Sequence, residues 1–150
     1  MKILIVEDDE YKGSDISRVV GDHFSEAQIE RAGSVTSALR AVTQGGFAFI
    51  VLDMSLPTFD LTGPGGGGSP QGQGGLEVLR LAKKLHATAP FIVVTQYPDI
   101  EIDGVELPLS LAAEKLSSRF GVMVIGCLLY EFDSDVWKSQ LNNLLHSGAQ

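Results

Sequence analysis

The sequence predicts a three-layer α/β/α fold around a five-stranded parallel sheet, and three observations carry that expectation. Short continuous apolar runs recur, among them Lys2-Ile-Leu-Ile-Val6, Phe49-Ile-Val-Leu52 and Phe91-Ile-Val-Val94. Each is too short for a helix and reads as a strand buried on both faces. Segments whose apolar residues fall at helical spacing alternate with these runs about five times. Strands separated by helices pair in parallel, with right-handed crossovers covering both sheet faces.

In chain order, Ile16, Val19, Val20 and Phe24 stripe one face of a first helix after the first strand. A weak second strand is expected around Ala27–Ala32. Ser34 suits the N-cap of a second helix carrying Val35, Ala38, Leu39 and Val42, which Gly45-Gly46 stops. Phe49–Leu52 is the third strand. Leu76, Leu79, Ala82, Lys83 and Leu85 mark a third helix, and Pro90 introduces the fourth strand at Phe91–Val94. Leu109, Ala112, Ala113, Leu116 and Phe120 stripe a fourth helix before a fifth strand at Val122–Leu129. A last helix, capped by Asp133 or Ser134, buries Trp137, Leu141, Leu144 and Leu145.

Two segments exceed a minimal fold of this kind. Thr58–Gly75 is Gly-rich, and so many glycines maximise backbone entropy, so it is expected to be mobile and without structure of its own. Its Gly63, Gly65 and Gly68 match G-x-G-x-x-G, but the P-loop Lys-Ser/Thr is lacking and the stretch follows the third strand, so nucleotide binding is rejected. Tyr97–Leu107 is an acidic connection carrying Asp99, Glu101, Asp103 and Glu106. Both would emerge at the carboxyl edge of the sheet, where loops set access and partner choice.

Composition bounds the function. The 150 residues fit one domain, 1–150, with an insertion at about 58–75. No apolar run approaches the ~20 residues that span a bilayer, and the N-terminus reads as a strand instead of a signal peptide, so a cytoplasmic protein is expected. The lone Cys127 excludes an internal disulfide and any multi-cysteine metal site. A net charge of −8 without clustered Lys or Arg argues against direct nucleic-acid binding and for a protein or cation as partner. His23, His86 and His146 fall on separate helices and read as surface residues.

The chemistry concentrates where strands end. The first strand runs into Glu7-Asp8 and the third into Asp53. In an open parallel sheet, ligands bind beyond the carboxyl ends of the strands, near the reversal of strand order. Three converging carboxylates repel one another and require a cation or raised pKa values. Taken singly, Glu7 and Asp8 also suit a helix start, and Asp53 also suits a loop.

Met1-Lys-Ile-Leu-Ile-Val-Glu-Asp-Asp9, Val51-Leu-Asp-Met-Ser-Leu-Pro57, Gly75-Leu-Glu-Val-Leu-Arg80 and Pro90-Phe-Ile-Val-Val-Thr95, in this order, resemble the receiver domain of bacterial response regulators. The resemblance spans nearly the whole chain and implies a flavodoxin-like sheet of order 2-1-3-4-5. It implies that Asp53 is the phosphoacceptor, served by a histidine kinase or phosphotransfer protein. Glu7, Asp8, Asp53 and the backbone carbonyl of Ser55 would hold Mg²⁺, and Thr95 would be the switch hydroxyl, though Thr95 equally suits an ordinary strand end. A metal bridging nucleophile and phosphoryl oxygens relieves the repulsion that a carboxylate nucleophile meets, and Mg²⁺ suits carboxylates, a carbonyl and retained waters.

Departures from the family pattern are equally specific. Its fifth strand normally ends in Lys-Pro, whose lysine reaches the phosphoryl group; here Tyr130 and Glu131 stand there. A phenol donates one hydrogen bond but has no positive charge at neutral pH, and a partly buried strand-end aromatic is the other reading of Tyr130. Cys127 falls where an aromatic switch residue is usual, and Gln96 replaces a smaller residue. The expected protein is an atypical stand-alone receiver, a switch, shuttle or phosphate sink acting on an unknown downstream protein or as a homodimer. It is no enzyme beyond self-catalysed phosphorylation and dephosphorylation of Asp53. One rival is a degenerate receiver acting as a phosphorylation-independent interaction module. Another is an aspartyl phosphatase, which needs a second Asp where Ser55 stands.

Overall fold

A computed structural model describes residues 1–59, 70–71 and 73–149. Its main sheet comprises β1 (Lys2–Val6), β2 (Gln28–Ala32), β3 (Phe47–Leu52), β6 (Phe91–Thr95) and β9 (Val124–Leu129). Two short ribbons stand apart from it: β4 (Leu56–Pro57) with β5 (Pro70–Gln71), and β7 (Asp99–Ile102) with β8 (Val105–Pro108). The helices are α1 (Glu10–His23), α2 (Val35–Gln44), α3 (Gly74–Lys84), α4 (Leu109–Phe120) and α5 (Val136–Gly148). The main sheet is parallel throughout, with order β2-β1-β3-β6-β9. Counting its strands alone, this is the expected 2-1-3-4-5.

Strand side chains alternate between the two sheet faces, and the core divides accordingly. Leu4, Val6, Ile50, Leu52, Phe91 and Val93 pack with buried residues of α2, α3 and α4. Ile3, Ile5, Phe49, Val51, Ile92 and Val94 pack with α1 and α5, including Trp137. Both faces are covered, which is why these strands read as unbroken apolar runs. Ser34 caps α2 as expected, its hydroxyl accepting from Ser37 N at 3.1 Å. At α5 the cap position falls on Asp135, not on Asp133 or Ser134; Ser134 Oγ accepts from Val136 N at 3.2 Å.

The Tyr97–Leu107 connection is more ordered than its acidity suggests. Ile102 pairs with Val105 across Asp103-Gly104, both at positive φ (53° and 79°). Asp-Gly is a strong signal for a two-residue hairpin turn, because such turns need positive φ at both central positions. Ile100 and Ile102 are buried and join the core under α4, while the acids between and beyond them face water. In the Gly-rich segment, Pro70–Gln71 pairs with Leu56–Pro57, and α3 starts at Gly74. Gly63, Gly65 and Gly68 lie outside the described residues.

Candidate functional site

The sheet register assembles the site. Val6 pairs with Leu52, and the ladder continues as Asp53 N donates to Val6 O at 3.0 Å and Glu7 N to Ala32 O at 2.9 Å. The residues just beyond two neighbouring strands are therefore held side by side. Glu7, Asp8 and Asp53 each present a carboxylate oxygen within 4.8 Å of the others. Glu7 and Asp53 are buried and Asp8 is half-buried. The convergence expected from the strand ends is what the backbone imposes.

Local bonds orient two of these carboxylates, Glu7 and Asp53. Glu7 Oε2 accepts from Asp9 N at 3.1 Å, and Asp53 Oδ1 accepts from Ser55 N at 3.3 Å. Asp9 caps α1, its Oδ1 accepting from Lys12 N at 2.9 Å. Behind Asp53, Gly75 N donates to Met54 O at 2.9 Å. A Cβ at Gly75 would stand 2.8 Å from the carbonyl oxygen of Asp53, so only glycine lets α3 approach the Asp53 loop this closely.

A residue that sequence reasoning missed completes the cluster. Lys12 is 2% exposed; its Nζ lies 2.6 Å from Glu7 Oε1, 3.6 Å from Asp53 Oδ1, and donates to Val94 O at 2.9 Å. The run Glu7-Asp-Asp-Glu-Tyr-Lys12 resembles a solvated charged surface, which concealed it. One signal was available. A lysine in the first turn of a helix opposes the helix dipole, so its presence there calls for a compensating anion.

Burial dominates the electrostatics. It pushes the Glu7 carboxyl up to about 8; the Asp53 charge acts the same way and the Lys12 ammonium opposes both. Burial likewise raises Asp53, against the Lys12 charge and the hydrogen bond from Ser55. Without a metal, the cluster therefore retains a proton near neutral pH. Fully ionised, three carboxylates and one ammonium carry two net negative charges, which one divalent cation balances. The donors are all oxygen, and apart from the adjacent ammonium Glu7 Oε1 has no hydrogen-bond partner among the described residues. These residues fit a hard cation such as Mg²⁺.

The remaining expected residues do not share one environment. Thr95 is buried at the end of β6, its Oγ1 accepting from Tyr97 N at 3.2 Å. Ser55 and Thr95 line a cavity of about 320 Å³ whose far side bears Asp99, Glu101 and Glu106 from the hairpin region. Gln96 is exposed. Tyr130 follows β9, its N–H donating to Thr95 O at 2.7 Å, but its hydroxyl donates to Asp15 Oδ2 at 3.1 Å. Its ring packs against Trp137, with Lys12 Nζ 5.8 Å from the ring centre. Cys127 is half-buried on β9 and unpaired.

No family model matches the chain. It is 35% identical over 148 residues to the Detocs response regulatory protein DtcB of Vibrio alginolyticus, covering 97% of this chain and 99% of that protein. The chain belongs to the response-regulator receiver family. A DtcB of Enterobacter cloacae is 29% identical over 143 residues, covering 94% of this receiver and 95% of that protein. Among solved structures, the response regulatory domain of mrkE from Klebsiella pneumoniae aligns with a TM-score of 0.66 at 15% identity, covering 99% of this receiver and 95% of that chain. The CheX–CheY–BeF3–Mg complex of Borrelia burgdorferi gives 0.67 at 12% identity, covering 100% and 90%. At these identities the structural likeness establishes the fold. Among the described residues of this receiver, no helix is long and apolar enough to cross a membrane.

Proposed function

We propose that this receiver accepts a phosphoryl group on Asp53 in a Mg²⁺-dependent reaction with a histidine kinase or phosphotransfer protein, and signals through protein contacts. The observation that carries the reading is the placement of Asp53 beside Glu7 and Asp8, with a carboxylate oxygen of each within 4.8 Å. Glu7, Asp8, Asp53 and the Ser55 carbonyl would hold the metal, whose positive charge would relieve the repulsion between a carboxylate nucleophile and a phosphoryl group.

In the transfer, an Asp53 carboxylate oxygen forms the new P–O bond as the donor's P–N bond breaks, and the electron pair leaves on the imidazole nitrogen. The Ser55 N–H orients the Asp53 carboxylate through its hydrogen bond to Oδ1. Thr95 accepts at Oγ1 from Tyr97 N, so its own hydroxyl proton is available to a phosphoryl oxygen. That bond would draw on the segment entering the Asp99–Pro108 hairpin, converting modification into movement.

The acidic rim of Asp99, Glu101 and Glu106 supports a protein donor with a basic surface over a free anionic donor. The likeness to the Vibrio response regulatory protein supports a signalling role, as a switch, shuttle or phosphate sink in the cytoplasm. A solved relative carries BeF3 and Mg in its name, which makes beryllofluoride the natural probe. Fluorine NMR should detect a bound beryllofluoride species with Mg²⁺, lost when Mg²⁺ is omitted and lost in Asp53→Asn. Absence of that species from the wild-type protein would leave the phosphorylation-independent interaction module as the better reading.

A further inference from the structure

We propose that Lys12, in the first turn of α1, supplies the ammonium that binds the phosphoryl group on Asp53, and that before modification the same ammonium is the internal counter-ion of the acid cluster. The inference rests on phosphoryl acceptance at Asp53 and adds a reacting-group contact that the motif residues do not provide.

Position is the first argument. A lysine side chain 2% exposed at a helix N-terminus is opposed by desolvation and by the helix dipole together. Only specific compensation holds it there, and the three partners are Glu7 Oε1, Asp53 Oδ1 and Val94 O. Two of these are carboxylates whose charge changes hands when a cation and a phosphoryl group arrive. The third is a backbone carbonyl that does not change. The bond to Val94 O therefore keeps Nζ beside Asp53 after the carboxylates are engaged elsewhere.

The second argument is the distribution of cations. The other ion pairs among the described residues are Lys2–Glu30, Arg18–Asp15, Arg80–Glu77, Arg119–Asp103 and Lys138–Asp135, and none includes a member of the trio. Where a fifth-strand lysine would stand, Tyr130 turns its hydroxyl to Asp15, 3.1 Å away. Lys12 Nζ and Thr95 both sit at the end of β6, the ammonium on the carbonyl of Val94 and the hydroxyl on the next residue. A phosphoryl group on Asp53 would meet the ammonium from α1 and the hydroxyl from β6. Lys12 forms no covalent bond; it donates hydrogen bonds to phosphoryl oxygens, a charge-assisted contact of the stronger kind.

The two roles predict opposite signs, which a folding defect would not produce. With Mg²⁺ alone, Lys12 competes for Glu7 and Asp53, so removing its charge tightens metal binding. With beryllofluoride present, Lys12 contributes to holding the group, so removing its charge weakens capture. The test uses the full chain, with Lys12→Met and Lys12→Gln, two uncharged variants of different polarity, each first checked for a cooperative melting transition. Calorimetry with Mg²⁺ alone should show affinity rising by ~10-fold, and fluorine NMR should show Mg²⁺-dependent beryllofluoride capture falling by ~10-fold or more. Wild-type capture that the folded variants match, or Mg²⁺ and beryllofluoride affinities that move together, would overturn the assignment of Lys12 alone. No capture by the wild-type protein would instead overturn acceptance at Asp53 and the Lys12 role with it.

Discussion

Tyr130 donates its hydroxyl hydrogen to Asp15 Oδ2 at 3.1 Å, joining the residue after β9 to the second turn of α1. Burial first, and that hydrogen bond second, hold the phenol above its ordinary range, so it is a neutral donor at any physiological pH. Tyr130→Phe keeps the ring against Trp137, 4.9 Å between centroids, but leaves a buried carboxylate short of one partner. Urea unfolding should show a loss of about 1–2 kcal/mol. An unchanged midpoint would mean the bond contributes nothing.

The acid cluster makes the stability of the metal-free protein pH-dependent. Glu7 rises from an ordinary 4.5 to about 8 on folding, chiefly through burial. Between those values the native state binds more protons than the unfolded chain, so stability falls as pH rises through the window. Melting temperatures in chelator should decline from pH 5 to pH 8, with a shallower slope in Glu7→Gln. Mg²⁺ should raise the melting temperature more at pH 8 than at pH 6, since it displaces the retained proton. Equal slopes for wild type and Glu7→Gln would exclude Glu7 as the source.

The hairpin β7–β8 belongs to the core, which makes it testable by truncation. Ile102 is 1% exposed and packs in the cluster under α4. Ile102→Ala should cost about 2–5 kcal/mol, whereas a floppy acidic loop would lose almost nothing. Chemical denaturation distinguishes the two.

Cys127 should be inert. Burial pushes its thiol up to about 12, leaving almost no thiolate near neutrality. Iodoacetamide at pH 8 should alkylate the native protein more than ~100-fold slower than the urea-unfolded chain. Comparable rates would show that β9 opens readily to solvent.

Much of this fold was legible in the residues. Ile3–Val6 and Phe91–Val94 are buried on both faces, so their unbroken apolar runs had one economical reading, and the site followed because strand ends set Glu7, Asp8 and Asp53. The hairpin was obscured because the acids Asp99 to Glu106 dominate its composition, while its real markers were Asp103-Gly104 and the alternating Ile100 and Ile102. Lys12 was hidden for a different reason. Its burial depends on three partners at the ends of three separate strands, and the one local signal, a lysine in the first turn of a helix, does not say which groups compensate it.

The most direct measurement is the intact mass of the full chain after exposure to Mg²⁺ and a phosphohistidine donor, followed by peptide mapping of the modified residue. The account predicts one added phosphoryl group, located on Asp53, dependent on Mg²⁺ and absent from Asp53→Asn. A phosphoryl group on any other residue, or one that persists in Asp53→Asn, would contradict it.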